Sequence, residues 1–209
     1  MFAGFTSGFL LVGLSELGDK TFLIAMLLAM RHSRRLVFLG VVVALAIMTI
    51  LSVLMGQAIS QLPKYPIHLA EITLFIGFGL KLLYDAWKMS PQSIGSEVAE
   101  AEAAIQQSTL KVKSGTAWRV FLEAFTLTFM AEWGDRTQFA TIALAASYNP
   151  WGVMIGAIAG HTLCAAIAVI GGRLVAGRIS EQTITALGGG LFIAFGIAAA
   201  LEGVPKGLT

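Results

Sequence analysis

The sequence has few charged residues. Asp, Glu, Lys and Arg make up only 12% of its 209 residues, whereas 56% are hydrophobic. Soluble domains usually carry about 25% charged residues, and a chain this apolar would expose large apolar patches in water. Several apolar runs reach the roughly 20 residues that a helix needs to cross a bilayer. The composition therefore excludes an ordinary soluble domain and predicts an all-α polytopic membrane protein.

Cysteine and histidine are also scarce. The single cysteine, Cys164, excludes an intramolecular disulfide and a cysteine-rich metal site, and there are only three histidines. The sequence has no phosphate-binding glycine loop, so ATP hydrolysis by this chain is not expected. Since no Ser–His or histidine-rich motif is present either, the chain is predicted not to be an enzyme and to need no prosthetic group.

Six apolar segments predict six transmembrane helices. They cover residues 5–30, 36–59, 68–87, 117–147, 150–176 and 182–201. The stretch 89–116 is too polar to span a membrane and is predicted to be a solvent loop, partly helical around 97–107, where Ala, Glu and Gln favour a helix.

The loops on one predicted side of the membrane hold most of the basic residues. That side has nine of them and the other side has only Lys64 and Lys206. The nine are Arg31, Arg34, Arg35, Lys88, Lys111, Lys113, Arg119, Arg173 and Arg178. Because Lys and Arg concentrate in cytoplasmic loops, the central loop is predicted to be cytoplasmic and both termini to lie outside or in a lumen.

The chain contains an internal repeat. The segment SELGDKT at 15–21 matches AEWGDRT at 131–137, an offset of 116 residues. The sequence is therefore divided into a first repeat (1–88), the polar loop (89–116) and a second repeat (117–209). Each repeat has three predicted helices, so the second must enter the membrane from the opposite side. In transporters built from such inverted repeats the substrate site lies near the membrane midplane.

Each copy of the motif has two carboxylates three residues apart. Glu16 and Asp19 in one, and Glu132 and Asp135 in the other, are expected to share a helix face. Apolar sequence continues on both sides, so these charges lie at membrane depth, where each costs about 2.5 to 3.5 kcal/mol if it is unpaired. The four carboxylates are therefore the candidate ligands of a cation.

The remaining residues of the motif are predicted to support those ligands. Lys20 and Arg136 reduce the charge from −4 to −2, a balance that one divalent cation or two protons would complete. Gly18 and Gly134 loosen the helix, and Thr21 and Thr137 offer hydroxyl oxygens. An all-oxygen ligand set suits Mg²⁺, Ca²⁺ and Mn²⁺.

The duplicated motif resembles a known family signature. ELGDKT at 16–21 and EWGDRT at 132–137 are similar to the paired E-x-G-D-[K/R]-[T/S] motifs of the Gdt family of cation/proton exchangers, found in Golgi, chloroplast and bacterial membranes. The resemblance covers essentially the whole chain. It implies export of Mn²⁺, or of Ca²⁺, from the cytoplasm in exchange for protons, with Glu16, Asp19, Glu132 and Asp135 as metal and proton sites.

The length of the chain is more similar to that of the bacterial and cyanobacterial manganese exporters than to that of the organelle forms. The resemblance then implies a multi-pass protein of a bacterial inner (plasma) membrane or a thylakoid-type membrane. Its partners would be a divalent cation, protons and lipid, with no nucleic acid.

Other functions remain open at this point. The charged motifs could hold the ammonium and carboxylate groups of a small organic solute such as an amino acid, which the protein would export. Paired carboxylates could also support metal-assisted hydrolysis in an intramembrane enzyme. A third possibility is an assembly factor that transports nothing.

Three further polar residues lie in the apolar segments. His161 could relay protons, but packing or a hydrogen bond between helices is favoured because the equivalent residue of the first repeat is Leu45. Glu71 and Glu123 are expected to reach interfacial water. The pattern Gly152, Gly156, Gly160 predicts a close helix–helix contact of the G-x-x-x-G type.

Overall fold

The chain is entirely helical in the part described by the computed structural model, which comprises residues 1–89, 101–106, 117–175 and 181–202. Eight helices of at least 12 residues are numbered here in chain order: α1 (Phe2–Ser15), α2 (Lys20–Arg31), α3 (Arg34–Ile59), α4 (Lys64–Lys88), α5 (Ala117–Glu132), α6 (Arg136–Ser147), α7 (Pro150–Val175) and α8 (Glu181–Glu202). No strand occurs in these ranges.

Four of the described helices are long and apolar enough to cross a membrane. These are α3, α4 and the segments Pro150–Gly171 of α7 and Gln182–Glu202 of α8. Helix α1 is a shorter apolar helix. The prediction of an all-α membrane protein is confirmed to this extent.

Two of the predicted helices are interrupted. Residues 5–30 and 117–147 were expected to be continuous, but the first breaks between Ser15 and Lys20 and the second between Glu132 and Arg136. The cause is local, because Gly18 and Gly134 adopt positive φ angles of 80° and 82°. This left-handed conformation suits glycine and typically ends a helix.

The two halves of the described chain have the same order of elements. Each half has a short helix, a break, a 12-residue helix, a 26-residue helix and a final helix of 25 or 22 residues. Helix α1 packs along α7, and α4 packs along α8. Helix α3 contacts α5, α6 and α7, so elements of the two halves are interleaved throughout.

Glycines allow the close approach of α1 and α7. A Cβ atom added at Gly156 would collide with the backbone carbonyl of Phe5, and one added at Gly160 would lie 3.0 Å from the Phe9 carbonyl oxygen. The predicted close contact at the G-x-x-x-G pattern is therefore confirmed. Cys164, one turn further along α7, lies 3.2 Å from the carbonyl oxygen of Gly13.

Helix α2 lies at the centre of the protein. Every residue from Thr21 to Ala29 is buried, as expected for a helix that is apolar on all sides. Its side chains share a core with α3, α5, α7 and the helical segment 101–106. That segment belongs to the predicted loop 89–116, of which residues 90–100 and 107–116 lie outside the described residues.

Two glutamates are more buried than the sequence suggested. Glu71 and Glu123 were expected to reach interfacial water, but they are only 4% and 5% exposed. Each has a polar neighbour on another element. The hydroxyl of Ser147 donates to Glu71 at 2.5 Å, and Nε2 of His32 lies 3.9 Å from a carboxylate oxygen of Glu123.

Candidate cation site at the paired helix breaks

Each helix break is built from the same three backbone features. Glu16 caps the C-terminal end of α1, Gly18 turns the chain, and Asp19 caps the N-terminal end of α2. The Asp19 carboxylate accepts a hydrogen bond from the backbone N–H of Lys20 at 2.8 Å. Aspartate is a favoured N-cap because it satisfies backbone donors that the first helical turn leaves free. The sequence Gly-Asp therefore ends one helix and begins the next.

The second break repeats this arrangement. Asp135 caps α6 and accepts hydrogen bonds from the backbone N–H of Thr137 at 3.3 Å and from its hydroxyl at 3.1 Å. The backbone N–H of Gly134 donates to the side chain of Gln138 at 2.8 Å. The expectation that the two carboxylates of each motif share a helix face is therefore wrong, since they lie on opposite sides of a turn.

The glutamates are buried and paired with threonines. The hydroxyl of Thr21 donates to Glu16 at 3.1 Å, and that of Thr137 donates to Glu132 at 3.4 Å. Both glutamates are less than 5% exposed. A single hydroxyl cannot offset the burial of a full negative charge. Each carboxylate therefore requires a cation or a proton.

Three carboxylates from the two breaks lie close together. One carboxylate oxygen from each of Glu16, Glu132 and Asp135 lies within 4.8 Å of the corresponding oxygens of the other two residues. Oxygen ligands of Ca²⁺ lie 2.3–2.6 Å from the ion, so a single cation could touch all three. The N-termini of α2 and α6 also point at this region and would favour an anion there, so the carboxylates complement them.

The fourth predicted ligand has a different partner. Nη2 of Arg136 donates to Oδ2 of Asp19 at 3.2 Å, and its Nε lies 3.8 Å from Asp135. Asp19 is thereby held by the guanidinium and is outside the group of three. Arg136 thus contacts one carboxylate from each motif. Lys20 is half-buried beside Asp19.

A cavity of about 190 Å³ leads to this ion pair. It is bounded by Asp19 and Arg136 on one side and by residues near the C-terminal end of α4, including Asp85 and Met89, on the other. Its remaining wall is the N-terminal part of α8. The cavity therefore connects the helix breaks to the end of the protein at which α4 finishes.

A larger cavity of about 520 Å³ lies at the opposite end of α4. Its lining includes Lys64, His68, Glu71 and Glu202. Helices α3, α6 and α8 all end here, and the C-termini of helices favour cations. The structure thus has a polar cavity near each end of α4.

Sequence reasoning did not place His161 beside the motifs. A packing role was favoured over a proton relay, and the residue is buried and borders one small cavity with each glutamate. Its position beside the motifs could not be read from local spacing, because it lies on a different helix. The helix breaks, in contrast, had a readable signal, since a glycine followed by an N-capping aspartate commonly separates two helices.

Comparison with known proteins identifies the family. The sequence model of the family described as divalent cation/proton antiporter GDT1 matches residues 4–90 and 120–206. A GDT1-like protein (sll0615) of Synechocystis sp. is 57% identical over 198 residues, which cover 94% of this chain and 96% of that protein. No solved structure matches.

Plant proteins show the same relationship. GDT1-like protein 3 of Oryza sativa subsp. indica is 46% identical over 191 residues, 88% of this chain and 68% of that protein. The chloroplastic PAM71-homolog of Arabidopsis thaliana is 42% identical over 211 residues, 94% of this chain and 58% of that protein. The chain therefore belongs to the GDT1 family of divalent cation/proton antiporters, which are membrane transporters and not enzymes.

Proposed function

We propose that this protein exports Mn²⁺ from the cytoplasm in exchange for protons, with Ca²⁺ as a possible second cargo. The ligands are Glu16, Glu132 and Asp135, joined during the cycle by Asp19. The observation that carries the proposal is the convergence of three carboxylate oxygens within 4.8 Å at two facing helix breaks.

Charge balance explains why such a site would exchange a cation for protons. The four carboxylates carry −4 and the two basic residues of the motifs carry +2. Buried charges are costly at membrane depth, so the residual −2 must be neutralised in every state that crosses the membrane. One divalent cation or two protons do this equally well. The site can then switch its exposure from one side of the membrane to the other with either species bound, but not when it is empty.

The proposed architecture is six membrane-spanning segments arranged as two inverted repeats, 1–88 and 117–209, joined by the loop 89–116. Helices α1 and α2 together form one interrupted span, and α5 and α6 form its counterpart. Matching helix lengths, matching breaks and the separate family matches to 4–90 and 120–206 support this division. Interrupted helices at a repeat interface are the usual ion site of such transporters.

The two cavities suggest the transport path. In the proposed orientation, the end of α4 that carries Lys88 faces the cytoplasm, in agreement with the distribution of basic residues. The cavity at Asp19 and Arg136 would then admit a cytoplasmic cation. The cavity at Glu71 would release it on the other side. Alternating access requires only one of these routes to connect with the site at a time.

The membrane is proposed from the relatives. The chain is 57% identical to a cyanobacterial protein and 42% identical to one named chloroplastic. We infer a thylakoid-type membrane or the plasma membrane of a bacterium. Export of an amino acid, the alternative considered from the sequence, gains no support from these relatives.

Reconstituted vesicles with a trapped pH dye test the proposal. Adding Mn²⁺ outside should make the lumen more alkaline, because protons leave as the metal enters. Glu16→Gln and Asp135→Asn should abolish the signal. Glu102→Gln is a matched control, because its side chain is 44% exposed and pairs with Arg31, at the end of α2 opposite the break. Metal uptake without proton movement would contradict exchange, and absence of uptake by folded protein would contradict cation transport.

A further inference from the structure

The two halves differ at one polar position beside the site. His161 on α7 corresponds to Leu45 on α3, at the same offset of 116 residues that relates the two motifs. Both side chains are buried, at 6% and 4% exposure. Whereas each glutamate has an equivalent threonine partner, only one half contributes an imidazole. The site is therefore less symmetric than its motifs.

The imidazole borders a small cavity beside each of the two glutamates. His161 borders a cavity of about 10 Å³ together with Glu132 and Thr137. It also borders a second cavity of about 10 Å³ together with Glu16 and Thr21. A space of this size holds roughly one water molecule. The imidazole therefore shares one small cavity with each glutamate.

Two buried atoms at these cavities have no hydrogen-bond partner among the residues that the structure describes. They are Nδ1 of His161 and Oε1 of Glu16. Most buried polar atoms in proteins have a partner, and an exception requires an explanation. A carboxylate oxygen and the unprotonated nitrogen of a neutral imidazole both offer lone pairs. His161 is not one of the three residues whose ligand atoms lie within 4.8 Å of one another, so a cation that satisfies both atoms requires the imidazole to move toward the carboxylates.

We propose that His161 supplies a nitrogen ligand to the transported cation and that this ligand favours Mn²⁺ over Ca²⁺. The inference rests on the proposed function, whose cargo it narrows. Ca²⁺ is bound by oxygen ligands. Oxygen ligands suit Mn²⁺ as well, but Mn²⁺ belongs to the first-row transition metals, whose affinity for nitrogen ligands rises along the series from Mn²⁺. The carboxylates serve either ion, so the imidazole is the group that separates them.

A purely structural role for His161 makes a different prediction. If the ring only fills space or orients a glutamate, its replacement would affect transport of both ions in the same proportion. A ligand role requires the two ions to respond differently. It also requires a magnetic coupling between bound Mn²⁺ and a histidine nitrogen, which packing alone cannot produce.

Two substitutions separate these roles. His161→Asn places a carboxamide oxygen near the position of Nδ1 and offers an oxygen in place of the nitrogen. His161→Leu restores the residue found at the equivalent position, Leu45, and removes the ligand. Thr162→Val is the matched control on the same helix, because that hydroxyl donates to the carbonyl of Ile158 at 2.7 Å.

The first measurement is pulsed electron paramagnetic resonance of full-length protein loaded with Mn²⁺ in a nitrogen-free buffer. The spectrum should show coupling to one ¹⁴N nucleus in the wild type and in Thr162→Val, and none in His161→Asn. The wild-type spectrum alone shows whether a nitrogen is bound to Mn²⁺. The proposal can therefore be tested even if a variant folds poorly. Bound Mn²⁺ without ¹⁴N coupling overturns it.

The second measurement is the ratio of Mn²⁺ to Ca²⁺ uptake in vesicles. His161→Asn should lower this ratio about tenfold, equivalent to about 1.4 kcal/mol of relative affinity, while Ca²⁺-driven proton release persists. An unchanged ratio with intact exchange overturns the role of His161 and leaves the proposed function standing. Failure of wild-type protein to move either ion overturns both.

Discussion

Arg136 donates to Asp19 across the interface between the two helix breaks, with 3.2 Å between Nη2 and Oδ2. The two residues are 117 positions apart in the chain, and the contact joins one half of the protein to the other. Asp19 is held in this contact and is not one of the three carboxylates that lie close together. Under the proposed function, the guanidinium and a bound cation would compete for the Asp19 carboxylate.

This competition predicts the effect of Arg136→Gln. Without the guanidinium, Asp19 is free to bind the cation, and the site has one more uncompensated negative charge. The concentration of Mn²⁺ for half-maximal uptake should fall, and the maximal rate should fall about tenfold because release now costs about 1.4 kcal/mol more. Initial rates of Mn²⁺ uptake in vesicles measure both. A higher half-maximal Mn²⁺ concentration in Arg136→Gln would contradict the competition. For Arg136→Lys, both the half-maximal concentration and the maximal rate should lie between those of the wild type and Arg136→Gln.

The glycines of the breaks predict a difference in stability between two matched variants. Gly18→Ala and Gly134→Ala each place a Cβ atom on a backbone with φ near 80°, which costs about 1 to 2 kcal/mol. At Gly18 the new atom would also lie 3.2 Å from Ile184, whereas nothing lies within 4 Å at Gly134. Both variants should melt about 2 to 8 °C lower in detergent.

Gly18→Ala should show the larger decrease of the two. Thermal denaturation followed by circular dichroism measures the difference. If neither melting temperature changes, the positive φ angles do not describe the breaks correctly. If Gly134→Ala is the more damaging variant, the contact with Ile184 is not the deciding factor.

The contact between α1 and α7 predicts a second pair of variants. Gly156→Ala brings a Cβ atom against the Phe5 carbonyl, and such overpacking typically costs about 1 to 3 kcal/mol. Gly77→Ala is the control, since a Cβ there meets nothing within 4 Å and alanine favours a helix by roughly 1 kcal/mol. The first should lower the melting temperature and the second should leave it unchanged or raise it slightly. Equal effects would contradict the close approach.

Tyr148, in the link between α6 and α7, predicts that the stability of the folded protein depends on pH in the alkaline range. Burial, followed by the nearby Glu202 and Glu71 carboxylates, raises the pKa of Tyr148 to about 12. Its hydroxyl donates to Glu202 at 3.2 Å. A phenol with a raised pKa contributes stability that is fully present below about pH 10, its unfolded value, and is lost as the pH rises toward 12.

Tyr148→Phe tests this linkage. The difference in melting temperature between wild type and variant should be constant from pH 6 to pH 9 and should shrink as the pH rises above about 10. Comparing the two proteins at each pH removes the contribution of lysines that titrate in the same range. A difference that grows with alkaline pH would have the wrong sign for a raised pKa.

Local sequence identified the fold class and the chemistry of the motifs. The low charge content required a membrane protein, and the repeated Glu and Asp were visible because each motif is contiguous. The two breaks were missed because Glu16 and Asp19 were placed on a continuous helix, although the glycine between them favours a turn. The three-residue spacing places two side chains on one face only in a continuous helix, and the backbone between Glu16 and Asp19 is not helical.

Long-range relationships were less accessible. The sequence indicated that Arg136 offsets part of the carboxylate charge, but its contact with Asp19 depends on how the two halves of the chain meet. Glu71 is buried because Ser147 from another helix covers it, and no local pattern encodes that contact. Packing was favoured for His161 because its counterpart is Leu45, and its position beside both glutamates depends on how α7 meets the two breaks.

The most direct test of the central claim is uphill transport. Vesicles containing the protein are loaded with acidic buffer and placed in a more alkaline medium with Mn²⁺, with the membrane potential clamped at zero. The outward proton gradient should drive Mn²⁺ into the lumen above its external concentration, and Glu132→Gln should abolish this accumulation. If Mn²⁺ only equilibrates in the wild type, or still accumulates in Glu132→Gln, proton exchange at the paired helix breaks is wrong.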